Sequence, residues 1–212
     1  MKKLLISLLF LTVAISISYA DTENRPSATP PVNFRDQTGQ RLEAGAGFYA
    51  TFSDNRNIHA FAPSISLINY PARKTGFGLY STFIIPLSIN EGHVLKRQDY
   101  TALFGVDFIA GFTFMLYSSP TFRLPVTVGP HYAMMWMYSP LVDFSCYSIG
   151  AGANITGEFH VARHFYLYVR LQTHFDFYHW DKSVDNNGNI SHFSRNTRIF
   201  GFNPSAGVAL RF

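Results

Sequence analysis

From Arg41 to the terminal Phe212 the apolar residues fall on every second position, and no charged residue interrupts an apolar row. A period of two is the mark of strands whose faces meet different surroundings. Eight such runs follow one another: Leu42 to Phe52, Phe61 to Leu67, Phe77 to Ile89, Phe104 to Leu116, Phe122 to Tyr138, Tyr147 to Phe159, Phe165 to Phe177 and Phe200 to Phe212. The second is less regular because Ile68 falls on the polar row. With 47% apolar, 17% aromatic and 14% charged residues the chain is too hydrophobic for a disordered polypeptide, and its aromatic content favours strands over long helices. One all-β domain is expected.

The rows opposite the apolar ones hold Glu43, Asp107, Arg123, Glu158, Arg170, Asp176 and three histidines among glycines, with no lysine. A face turned to water is usually rich in Lys and Glu, so these rows read as an interior and the apolar rows as a face turned to lipid. Tyr132, Trp136, Tyr138, Tyr147 and Tyr178 gather at run ends, where an interfacial aromatic girdle belongs. The rows also reach the roughly 9 to 11 residues of a tilted spanning strand. Links 71–75, 118–121 and 161–164 read as short, and 53–60, 90–102, 139–146 and 179–197 as longer and more polar. That alternation puts both chain ends on the short-turn side, which is the periplasm in bacterial outer-membrane barrels. The expected architecture is an eight-stranded antiparallel up-and-down transmembrane β-barrel over 41–212, closed so that no strand edge faces lipid.

Ahead of it, Met1-Lys2-Lys3, the apolar run Leu4 to Ile17 and Ser18-Tyr19-Ala20 form a secretory signal over 1–20, cleaved before Asp21. Residues 21–40, with Pro26, Pro30 and Pro31, read as a flexible leader. The net charge of +4 includes Lys2 and Lys3, so the mature chain is too weakly basic for a nucleic-acid partner. Cys146 is the only cysteine, which excludes an intrachain disulfide.

Ser205-Ala206-Gly207-Val208-Ala209-Leu210-Arg211-Phe212 resembles the C-terminal signal of bacterial outer-membrane barrel proteins, with Ser205, Gly207, Leu210 and Phe212 at the marked positions. The resemblance implies recognition by the barrel-assembly machinery. Over 41–212 the organisation is similar to the small eight-stranded outer-membrane proteins of the OmpA, OmpX and OmpW kind, which implies outer-membrane lipids as surroundings.

An eight-stranded barrel is filled by side chains or holds one small ligand. Inward charges therefore should pair, Arg123 with Asp107 or Glu158, and Arg170 with Glu158 or Asp176. They are expected to act as a structural plug or, alternatively, to set the selectivity of a narrow path. Pro63 and Pro86, expected near the outer end of the second hairpin, and Pro130 beside Gly129 remove ladder donors. By the resemblance to OmpW-like channels they are candidates for a lateral opening to a hydrophobic solute; as ordinary proline positions they mark strand ends and bulges. Function is expected to be a narrow channel for small or hydrophobic solutes, with a non-catalytic surface-adhesion or membrane-structural role, and so an extracellular ligand, as the alternative. His192-Phe193-Ser194 superficially resembles the His and Ser of outer-membrane lipid A deacylases, but no acid follows Asp185, so no enzyme is expected. The eight histidines show no compact ligand spacing, and neither a metal nor a cofactor is expected.

Overall fold

The computed structural model describes residues 39–212 except 54–55, 71–73, 92–100, 141, 163, 186 and 196–197. The signal peptide and most of the leader lie outside the described residues. Strand β1 begins at Gly39, two residues inside the expected leader. The strands are β1 (Gly39–Phe52), β2 (Arg56–Tyr70), β3 (Thr75–Glu91), β4 (Ala102–Ser118), β5 (Phe122–Tyr138), β6 (Val142–Ala162), β7 (Phe165–Asp185), β8 (Ile190–Arg195) and β9 (Ile199–Arg211). Each pairs antiparallel with its neighbour in sequence from β1 to β7, β9 pairs with β7, and β1 with β9 closes the ring. Eight strands thus make a closed up-and-down barrel. The ninth, β8, pairs only with the last residues of β7, from His179↔Arg195 to Val184↔Ile190, as an arm.

The two faces partition as the period predicts. Phe112, Leu116, Val169, Phe177 and Val128 point outward and are exposed, whereas Glu43, Asp107 and Glu158 point inward at 0% exposure. This inverts the pattern of a water-soluble barrel, which hides its apolar rows. Ile68, the exception to the alternation, is a fully buried inward residue that packs with Tyr70, Tyr80 and Ile109.

Three local departures have one cause. Bulges in the ladders insert an extra residue and exchange the faces beyond it. One between His59 and Ala60 on the β2–β3 seam leaves Leu87 extra, so Ile89 turns inward instead of continuing the outward row. A second, at Ile149/Gly150, leaves both Phe177 and Tyr178 outward, and a third, between Met115 and Tyr117, does the same for Leu116 and Tyr117.

The links also differ from expectation. Because β2 starts at Arg56 and β6 at Val142, the links 53–55 and 139–141 are short, and most of 179–197 is the β7–β8 arm. Short and long links therefore do not alternate strictly. The end of β3, the start of β4 and the arm still lie at one end, and Gly39, Arg211, the end of β2 and the start of β3 at the other.

The closing seam is built for close approach. Gly207 lies opposite Gly45, where a Cβ on Gly207 would come within 2.2 Å of the Ala44 carbonyl oxygen. A Cβ on Gly45 would meet the Tyr168 hydroxyl at 2.2 Å, so the glycine is the space that tyrosine fills. Gly207→Val should push β1 off β9; the fraction of heat-modifiable, compact species on cold gel electrophoresis should fall markedly against wild type.

Candidate functional site

The barrel interior is stacked in three layers, each set by which residue of every strand reaches that height. Nearest the chain ends is an ionic layer. Arg41 is paired with Glu158, and Arg170 with Glu43, through short charge-assisted hydrogen bonds. Arg170 also donates from Nη1 to Ser66 Oγ at 2.9 Å and from Nε to Thr156 Oγ1 at 3.1 Å. Arg123 lies 3.8 Å from Glu158. Four tyrosines wrap these cations: Arg41 sits 5.1 Å from the Tyr70 ring centre and 4.6 Å from that of Tyr166, while Arg170 lies 4.5 Å from Tyr80 and 4.7 Å from Tyr168. Aromatic faces stabilise a desolvated cation more than an exposed one, and they fill space that a hydrated charge would occupy.

The middle layer is polar and connected. Asp107 accepts from Gln172 Nε2 at 2.6 Å and meets His131 Nε2 at 2.8 Å. His131 Nδ1 meets Asp176 at 2.5 Å, and Ser148 donates to the other oxygen of Asp176 at 2.7 Å. The His174 ring stacks on His131, centres 3.9 Å apart and nearly parallel at 7°.

The third layer, toward the long-link end, is apolar although it faces inward: Ile58, Ala60, Ala62, Ile84, Ile89, Leu103, Met135 and Met137 form one cluster with Tyr49 and Cys146.

The sequence-predicted lumen residues Glu43, Asp107, Arg123, Glu158, Arg170 and Asp176 are all inward and buried. Their partners are partly other than expected. Arg123 does approach Glu158, but Arg170 pairs with Glu43, and Asp107 and Asp176 meet histidines rather than arginines. Adjacent-strand geometry alone misled here, because in a closed narrow barrel a long side chain reaches across the lumen as easily as along the wall. Arg170 on β7 and Glu43 on β1 are separated by β9. Sequence reasoning missed Arg41, hidden at a supposed domain boundary, and the tyrosines Tyr70 and Tyr166. The regular polar row continuing through Glu43 to Arg41 was the available signal.

Among the prolines, Pro86 sits opposite Ala60 at the bulge. The β2–β3 pairing passes from Phe61↔Ile85 to Ser64↔Thr82 with no pair at Ala62 or Pro63. Pro63 thus stands farther from the long-link end than Pro86, on the same seam. Pro130 opens a similar gap between Ile109↔His131 and Phe112↔Val128 on the β4–β5 seam, away from the other two. Ser205 and Gly207 of the terminal motif face inward along the closing strand; Leu210 and Phe212 are exposed outside. His192 is exposed on the arm, its backbone opposite Lys182, and Ser194 stands opposite Trp180.

No family model and no curated protein matches the sequence. Solved structures do. Neisserial surface protein A superposes with a TM-score of 0.57 at 16% identity, over 82% of this chain and 98% of that one. The outer membrane protein OprG from Pseudomonas aeruginosa gives 0.57 at 8% identity over 84% and 99%. The outer membrane protein AlkL, solved in lipid bilayers, gives 0.55 at 10% identity over 90% and 96%. The fold is that of the small outer-membrane barrels. At these identities the likeness establishes the architecture, and the side-chain layers have to be read from this chain alone.

Arg170→Met should leave Glu43 as an uncompensated buried charge and cost about 3–5 kcal/mol of unfolding free energy, whereas Arg170→Met with Glu43→Leu should recover most of it. Urea unfolding of the barrel in lipid vesicles, followed by tryptophan fluorescence, measures both.

Proposed function

We propose that this chain is an outer-membrane barrel that admits a small apolar solute at its long-link end and releases it sideways into the bilayer between β2 and β3, without conducting ions along its axis. One observation carries the reading: an inward apolar layer adjoins the seam where Pro63 and the Pro86 bulge interrupt pairing, and a buried ionic layer closes the barrel beneath it.

Each part has a physical reason. A lumen whose charges are 0–4% exposed, with Arg41 and Arg170 against tyrosine rings, supports a barrel closed to ions. Ala60 and Ala62, on the inner side of the interrupted seam, are the smallest side chains of the cluster, so parting β2 from β3 there breaks few contacts. The outward apolar rows support placement in a membrane. The end of β3, the start of β4 and the arm, all away from Gly39 and Arg211, support periplasmic chain ends. The terminal strand with Ser205, Gly207, Leu210 and Phe212 is proposed as the segment read by the assembly machinery.

A second reading, surface contact with an extracellular ligand, rests on the arm, whose turn is held by Asp185 accepting from the Asn187 and Asn189 backbone amides at 2.9 and 2.8 Å. Deleting 183–195 should leave solute uptake and barrel closure intact and abolish any such binding.

Cells carrying the full chain should take up the apolar fluorophore N-phenyl-1-naphthylamine severalfold faster than cells without it. Pro63→Val with Pro86→Val should return uptake to background while planar bilayers show no steady ion current for either form. Uptake unchanged in the double variant, or an ohmic pore in the wild type, would sink the lateral route.

A further inference from the structure

The middle layer contains more than the structural plug requires. Asp107 Oδ2, His131 and His174 bring one carboxylate and two imidazoles from β4, β5 and β7 to a point where a ligating atom of each lies within 4.8 Å of the others. His131 Nε2 is 2.8 Å and His174 Nδ1 3.6 Å from the same oxygen, Asp107 Oδ2. Zinc bonds of about 2.0–2.2 Å to N and O in a tetrahedron imply ligand–ligand edges of about 3.4 Å, so the two edges to Asp107 Oδ2 are already close, and the stacked rings must tilt apart to aim both in-plane lone pairs at one ion. All three residues are at least 97% buried.

The surroundings are those of a metal site rather than of a simple ion pair. A histidine that binds a metal through one nitrogen commonly donates from the other to a carboxylate, which fixes ring and tautomer. His131 has that arrangement: Nε2 turns to Asp107 and Nδ1 to Asp176 at 2.5 Å, with Asp176 held by Ser148. Asp107 is itself oriented by Gln172. His174 is kept in place by stacking on His131 and on Tyr49, and Gly201 gives it room, since a Cβ there would lie 2.1 Å from the ring. Yet its Nε2, buried among these groups, makes no hydrogen bond. A buried, oriented imidazole whose Nε2 approaches Asp176 Oδ2 only to 3.9 Å, without a hydrogen bond, is unexplained by plugging alone.

Charge agrees with this. With both imidazoles neutral, Asp107 and Asp176 carry two negative charges, which one divalent cation balances.

We propose that the mid-barrel residues Asp107, His131 and His174, with Asp176 orienting His131, bind a divalent first-row transition-metal cation of the zinc class. Imidazole with carboxylate suits such ions, whereas Ca²⁺ and Mg²⁺ prefer all-oxygen shells. A second cluster of such groups lies toward the long-link end. On β6 and β7, in register Cys146↔Asp181 and Ser148↔His179, the groups Cys146, His179 and Asp181 converge within 4.8 Å, with His179 Nε2 and Asp181 Oδ1 at 2.9 Å. Cys146 is buried and His179 and Asp181 are half-buried, and the cluster stands between the long-link end and Ser148, which touches Asp176.

The test uses the full mature chain folded in detergent micelles, stripped with chelator, and titrated with Co²⁺ and Zn²⁺ against a chelator of known affinity. Wild type should show the d–d absorption of low-coordinate cobalt and a higher melting temperature with zinc, but no response to Mg²⁺. His174→Phe keeps the stacked ring and removes both nitrogens; it should weaken Co²⁺ binding at least about tenfold, by analogy with losses of 10–100-fold for outer-shell changes. Cys146→Ala, outside the mid-barrel set, should leave the cobalt bands in place. Equal affinity in wild type and a folded His174→Phe would overturn the assignment. So would a wild-type chain without cobalt bands, a result that holds even where the variant does not fold. None of these readouts depends on solute uptake, so the site stands or falls apart from the lateral route.

Discussion

The constraint on which this molecule depends is the placement of charge. Seven ionised or ionisable anchors, Arg41, Glu43, Asp107, Arg123, Glu158, Arg170 and Asp176, are removed from both water and lipid, and each exposes 4% or less of its surface. Taking such groups out of water costs several kcal/mol apiece unless partners are fixed in place. The barrel supplies them: carboxylates against guanidinium groups near the chain ends, carboxylates against imidazoles above, and tyrosine faces around the arginines. A chain with an apolar exterior has no other place for these charges, and closure is what creates that place.

Closure in turn depends on small residues. Where tyrosine and histidine fill the lumen, the facing wall is glycine: Gly45 opposite Tyr168, Gly201 opposite His174, Gly152 beside Ile109. Interior packing of a narrow barrel alternates large against small, which explains these glycines, whereas Gly111, Gly129 and Gly207 let neighbouring strand backbones approach. The same logic grades the lumen from ionic through polar to apolar, so that the two ends of one tube present different chemistry. An axial ion path is poorly served by such a gradient. The proposed lateral route rests on that gradient together with the interrupted seam.

Reading the sequence captured much of the wall and less of the interior. The alternation in runs such as Phe104 to Leu116 located the strands, and the absence of charge in the apolar rows told outside from inside. It erred where a bulge exchanged the faces, as at Ile89 and Tyr178, because one extra residue leaves no compositional trace. It also erred where strands ran past the expected links, as at Arg56 and Val142, because a strand extended beyond the barrel wall has no lipid-facing row to mark it.

Sequence alone determined that the chain is a closed antiparallel barrel with greasy side chains outward, since period two and charge segregation are local properties of each run. Only the tertiary structure decided who meets whom inside. Arg170 reaches Glu43, and Asp107 gathers His131 and His174 from strands whose contributions are 24 and 67 positions away in sequence. Those encounters are fixed by the stagger between strands and by the short diameter of the ring, neither of which any single strand encodes.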